Sequence, residues 1–197
     1  MVNRTGPTHV FPVETIWAGP PAHRTLAARD RVPPEVWMFK EILGLPAHVL
    51  VVHAVVVLVP LLALLSAAYV ALPRFRARLD WAVAILAVVA PVSAFVAVES
   101  GEELTDAFLA RGMQGPIVEQ IFTHSRYGDI LFRWVLPLAV ASLLLLFVTS
   151  GHRRVPKLPS WATPVLSVVV VALGVVSLVY VYLTGHSGAE AVWGNTL

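Results

Sequence analysis

The chain has 197 residues, 57% of them hydrophobic and only 13% charged, with a mean hydropathy of +0.77. A soluble domain of this length needs far more charged surface. The formal charge of +2 is too small to suggest nucleic acid, and the lack of cysteine excludes disulfides, thiolate metal sites, CxxCH haem attachment and iron–sulfur ligation.

Residues 1–37 are rich in proline and glycine (Pro7, Pro12, Gly19, Pro20, Pro21, Pro33, Pro34) and carry no sustained helical period. That composition predicts a disordered or weakly ordered N-terminal extension. It contains no positive head, apolar stretch and cleavage site in series, so it does not read as a secretory signal. The segment 36–43 is short and amphipathic, with Trp37, Phe39 and Ile42 suited to the membrane interface. Gly44-Leu-Pro46 then turns the chain inward.

Four apolar runs follow, at about 47–72, 81–98, 131–149 and 161–184. Each is near the ~20 residues that a helix needs to cross the hydrocarbon core. The expected fold class is therefore an all-α integral membrane protein, an up-and-down bundle of four transmembrane helices occupying residues 38–197. Pro60, Pro91, Pro137 and Pro164 are expected to kink these helices. The loops after the first and third runs hold Arg74, Arg76, Arg78, Arg153, Arg154 and Lys157, six of the fourteen basic residues. The opposite side carries Glu99, Glu102, Glu103, Asp106 and Glu119. The positive-inside rule then puts both basic loops in the cytoplasm and both termini outside. Trp81 and Trp161 mark the inner interface, and Trp37, Tyr182 and Trp193 the outer one.

The two halves echo each other. Val57–Leu65 (VLVPLLALL) resembles Val135–Leu143 (VLPLAVASL), and Glu99-Ser-Gly-Glu-Glu103 resembles His186-Ser-Gly-Ala-Glu190. Two related helical hairpins, joined by an axis along the membrane normal, would explain both matches.

Ionisable residues gather at the mouths of the runs, all at the predicted outer end: His48, His53, Glu99, Glu102, His124 and His186. Intramembrane imidazoles and carboxylates mark coordination or proton-handling sites. Counted from the inner ends of the runs, His48, His124 and His186 share one level, and His53 and Glu99 a level roughly 8 Å deeper at ~1.5 Å per residue. Three imidazoles from three helices could hold zinc or copper, with an open position for water. Two facing each other could clamp a b-type haem. His48 and His53 are about 140° apart around a helix and do not easily bind one ion together. Glu99 and Glu103, four apart, could orient a histidine. Against these stand plainer readings. An interfacial histidine is ordinary, His124 could cap the third helix, and Asp129 and Arg133 have the spacing of a salt bridge. His9, His23 and His152 read as surface. No nucleophile–base pair, P-loop or dinucleotide fingerprint occurs, so soluble-enzyme chemistry has no support.

Residues 38–53 read MFKEILGLPAHVLVVH, and three further motifs follow in order: Glu99-Ser-Gly-Glu-Glu103, His124-Ser-Arg-Tyr-Gly-Asp129 and Thr184-Gly-His-Ser-Gly-Ala-Glu-Ala-Val-Trp193. Together these resemble the bacterial membrane family called domain of unknown function 2231, in its actinobacterial branch, over about residues 38–193. That family opens on a His-x4-His signature and has no established biochemical function. Some four-helix families of similar architecture are b-type cytochromes, an analogy of fold. Here Val49 follows His48, where the wider family usually has proline, and Ala54 follows His53, where it usually reads Phe-Pro. The resemblance begins at Met38, so residues 1–37 are expected to be dispensable and to lie upstream of the natural start.

The expected function is a polytopic membrane protein whose outer His/Glu cluster of His48, His53, Glu99, Glu102, His124 and His186 binds a transition metal (zinc or copper) or haem b. Its role would be electron transfer or metal handling rather than turnover of an organic substrate. Its partners would be the lipid bilayer, other membrane subunits or a redox protein. The rival is a non-catalytic scaffold or accessory subunit whose polar ring only satisfies interhelical hydrogen bonds. A proton-linked transporter has little room for alternating access in four short helices.

Overall fold

The computed structural model describes residues 41–42, 45–149 and 159–194; the expectations for residues 1–37, and for His9, His23 and His152, lie outside them. Two residue pairs, Glu41 with Pro46 and Ile42 with Leu45, form a minimal antiparallel hairpin (β1, Glu41–Ile42; β2, Leu45–Pro46). The interfacial stretch expected here is thus partly a hairpin. It leads into four helices: α1 (Ala47–Ala71), α2 (Arg76–Ala110), α3 (Pro116–Thr149) and α4 (Ala162–Trp193). All four are long and apolar enough to cross a membrane.

Three helices run well past the apolar windows at one end. α2 reaches Ala110 instead of 98, α3 begins at Pro116 instead of 131, and α4 reaches Trp193 instead of 184. Loss of hydrophobicity does not end a helix; a backbone breaker does. Gly112 and Gly115 adopt left-handed φ values of 81° and 92°, and Pro116 occupies the first position of α3. Pro164 falls in the first turn of α4, where proline is tolerated without a kink. Pro60, Pro91 and Pro137 lie inside continuous helices.

At the other end, α1 and α2 are joined by Leu72 and one 3-10 turn, Pro73–Phe75. Arg76 Nε donates to the Tyr69 carbonyl at 3.1 Å, satisfying one of the free carbonyls at the end of α1. The Tyr69 hydroxyl lies 2.7 Å from Thr149 Oγ1 at the end of α3. This end carries the arginines.

Each helix packs against its two neighbours around a square, and α1 also meets α3 across the diagonal. Burial repeats between the halves. Val55, Val59, Leu62, Ala63, Ser66 and Tyr69 of α1 are buried, and so is each residue 76 positions later: Leu131, Val135, Leu138, Ala139, Ser142 and Leu145. Between α2 and α4 the interval is 87, with Val83, Ala87, Ala90 and Ser100 matching Val170, Gly174, Ser177 and Ser187, all buried. Two helical hairpins related by a two-fold axis along the bundle have this pattern. The loop echo has the same interval. The helix echo does not: the paired prolines are 77 apart, so sequence similarity alone misaligns the first and third helices by one residue.

The core is lined by small residues, as close packing in lipid requires. Ala87, Ala90, Ala94 and Ala97 recur every three or four residues on α2. On α4, a Cβ added at Gly174 would touch Ala63 Cβ at 3.5 Å. Exposed apolar residues such as Val56, Leu64, Val88, Val92 and Val168 cover the outside, and exposed Trp81, Trp161, Tyr182 and Trp193 sit near the helix ends.

Candidate functional site

His48 is the second residue of α1, and its twofold counterpart His124 lies two turns into α3, well past any capping position. Their half-buried rings meet at the bundle centre, with centroids 6.0 Å apart and planes at 84°. Each is held by the other helix of its own hairpin. His48 Nδ1 lies 2.9 Å from the Ala97 carbonyl oxygen on α2. His124 Nδ1 lies 3.0 Å from the Thr184 carbonyl oxygen on α4. A carbonyl only accepts, so Nδ1 carries the proton in both rings, and in the neutral ring Nε2 is the nitrogen with the lone pair.

The surroundings repeat as well. Three residues after each accepting carbonyl stands a buried serine. Ser100 Oγ donates to Ala97 O at 3.2 Å and lies 3.5 Å from His48 Nδ1. Ser187 Oγ donates to Thr184 O at 3.1 Å and lies 3.4 Å from His124 Nδ1. One residue further stands a glycine. A Cβ at Gly101 would come 2.9 Å from His48 Cε1, and one at Gly188 would come 2.9 Å from His124 Cε1. Each Ser-Gly pair is therefore the seat of an imidazole. The motif was visible in the sequence, but as an echo between halves rather than as part of the site.

The other four residues are not drawn into this group. His53 is exposed, and its Nδ1 donates back to the Val49 carbonyl of its own helix at 2.6 Å. With His48 facing the axis, a residue five positions on points some 140° away. Glu99 and Glu102 are also exposed, on the α2 face turned away from Ser100. His186 is exposed beside Ser187 and pairs with Glu190 at 3.4 Å. Among the described residues, no three or more His, Asp or Glu side chains stand together as a metal site would require. His48 and His124 share a level, as their ring contact shows, but Glu99, expected deeper, lies between Ala97 and Gly101, both of which lie against His48; helix rotation turns it away from the pair. The expected Asp129–Arg133 pair does not form, since His186–Glu190 is the ion pair found among the described residues.

Farther along the axis, Ser66 Oγ and Ser142 Oγ hydrogen-bond at 3.0 Å, and Ser177 Oγ is buried without a partner. Tyr127 and Tyr180 pack with ring centroids 6.5 Å apart, one turn from the His124 half of the site.

The family described as "Predicted membrane protein (DUF2231)" matches this chain over residues 44–197. No curated protein and no solved structure matches it. The match spans all four helices and both halves of the histidine pair, and the chain belongs to the DUF2231 family of predicted membrane proteins.

Proposed function

We propose that His48 and His124 are the axial ligands of a b-type haem, and that the protein carries single electrons at the outer face of the membrane. The observation that supports this reading is the pair itself, two imidazoles from two helices 6.0 Å apart with both Nδ1 protons donated to carbonyls. Ligating histidines almost always donate the other ring N–H to a carbonyl or carboxylate, which fixes the tautomer and raises ligand basicity.

The donor count favours haem over a bare ion. Zinc takes three or four protein ligands, whereas haem iron receives four nitrogens from the macrocycle and needs two from the protein. The haem would supply the one-electron couple. The chain's own residues bind it, fix the imidazole orientation and exclude bulk water with the apolar layers of Val55, Val59, Leu131 and Val135.

The outer placement rests on Arg74, Arg76, Arg78, Arg153, Arg154 and Lys157 lying in the two loops at the opposite end. The test is an absorption spectrum with elemental analysis of the full chain, purified from haem-replete cells. A low-spin Soret band at one haem per chain is expected. Stoichiometric copper without a Soret band would move the reading to metal handling. Protein with neither would leave the polar ring as a structural element of a membrane scaffold.

A further inference from the structure

One face of α3 carries two arginines where the two-fold related face of α1 is apolar. Arg126 and Arg133 are seven residues apart on α3, which places them about 20° from each other around the helix. Both are exposed. The positions 76 residues earlier are Leu50 and Val57, exposed at 37% and 53%. The surface around Arg133 is apolar: Trp134 and Leu136 are exposed beside it, and Phe132 packs on Phe95 of α2 with ring centroids 5.9 Å apart. A guanidinium among such residues stands at a lipid-facing surface.

Depth sets what the pair can reach. Thr149, the last residue of α3, lies at the arginine-rich end of the bundle, bonded to Tyr69. Measured from there at ~1.5 Å per residue, Arg133 stands roughly 24 Å up and Arg126 roughly 35 Å. The hydrocarbon core is ~30 Å thick. One arginine is therefore just inside its far boundary and the other just outside, with the headgroup phosphates within reach of both. Long basic side chains near a helix end extend toward that layer. Neither arginine is paired with an acid among the described residues. Asp129, three residues after Arg126 and four before Arg133, has the spacing to neutralise either and is within ion-pair distance of neither. Both guanidinium forks are left for an anion from outside the chain. Together the three side chains carry +1, which a headgroup with one net negative charge balances.

We propose that Arg126 and Arg133 bind the phosphate of an anionic phospholipid, of the phosphatidylglycerol type, in the leaflet at the histidine end. A planar guanidinium donates two parallel N–H bonds to phosphate oxygens, a match that an ammonium lacks. Two forks, one from each side of the hydrocarbon boundary, close on one phosphate. A zwitterionic headgroup leaves the positive charge of the site uncompensated, so the site selects by charge. It belongs to one half of the bundle only, since Leu50 and Val57 offer no side-chain donor in the other.

The experiment is native mass spectrometry of the full-length protein released from nanodiscs with equal amounts of phosphatidylglycerol and phosphatidylethanolamine. Wild type should retain one phosphatidylglycerol per chain, with a preference of about tenfold, the order expected for two basic side chains beside an anionic headgroup. Arg126→Gln combined with Arg133→Leu should lose that preference. Arg133→Lys, which keeps the charge without the fork, should weaken it. Arg111→Gln removes an exposed arginine at the far end of α2, beyond the headgroup layer, and should leave it unchanged. Leucine at position 133 repeats the chemistry of Val57, so helical content by circular dichroism should persist; if it does not, the wild-type and lysine measurements stand by themselves. Equal retention of both lipids by wild type, or undiminished preference in either variant, would overturn the proposal. So would an equal loss in Arg111→Gln, which would reduce the effect to overall charge. Displacement of the retained lipid by inorganic phosphate would overturn it as well, because the site would then serve a free anion.

Discussion

Ser66 on α1 and Ser142 on α3 are the same position of two repeats, and their hydroxyls bond to each other at 3.0 Å across the diagonal of the bundle. Both are buried, at 1% exposure each. His48 and His124, the same position 18 residues earlier in each repeat, also meet across this diagonal. The two-fold axis thus passes between two polar pairs, one carrying ring nitrogens and the other hydroxyls. A residue near such an axis faces its own equivalent, so two related hairpins present the same side chain twice at one place.

The serine pair is expected to hold the halves together modestly. Interhelical polar pairs in membranes average about 0.6 kcal/mol. A double-mutant cycle of Ser66→Ala and Ser142→Ala, read by thermal or denaturant unfolding in detergent, should give a coupling energy of that order. A cycle that closes at zero would show that the contact is geometric only.

Replacement of either central histidine should remove the low-spin haem signature. His48→Ala and His124→Ala should each convert or abolish the Soret band in purified protein. His53→Ala and His186→Ala should leave it intact, because both side chains are exposed and engaged locally, with Val49 and Glu190. Loss of the band in His53→Ala would mean that α1 is rotated in the membrane from the orientation described here.

The glycines make a sharper test of the seat. Alanine at Gly101 or Gly188 would put a methyl 2.9 Å from an imidazole carbon, and the ring is the end of a side chain that can swing away. The fold should survive, with helical content and yield close to wild type. Haem affinity should fall about 10–100-fold, the usual cost of disturbing the support of a ligand. Equal losses of affinity and of thermal stability would place the glycines in helix packing alone.

Orientation is open to chemical labelling. Ala77→Cys lies in the arginine-rich turn, and Gln114→Cys lies in the loop at the histidine end; Gln114 is the better choice than Gly115, whose φ of 92° disfavours any side chain. In intact cells an impermeant thiol reagent should reach the cysteine at 114 and not the one at 77. The reverse pattern would put the histidine pair at the cytoplasmic face.

From the sequence alone, four apolar runs of near-spanning length were enough to determine the number of helices, because lipid cannot satisfy a free backbone group and a helix satisfies its own. The up-and-down order, the gathering of His48, His53, Glu99, Glu102, His124 and His186 at one end, and the Ser-Gly echo were legible for the same reason: height along a helix is linear in residue number. Helix ends were not legible from hydropathy, since α2, α3 and α4 all continue beyond the apolar layer, α2 and α3 as far as the turn of Gly112, Gly115 and Pro116 and α4 to Trp193. Nor was the choice among the six polar residues. Each helix turns about 100° per residue, and only packing against three neighbours decides which angle faces the axis. That rotation, together with the close approach permitted at Gly101 and Gly188, brings His48 and His124 together and turns His53, Glu99, Glu102 and His186 outward.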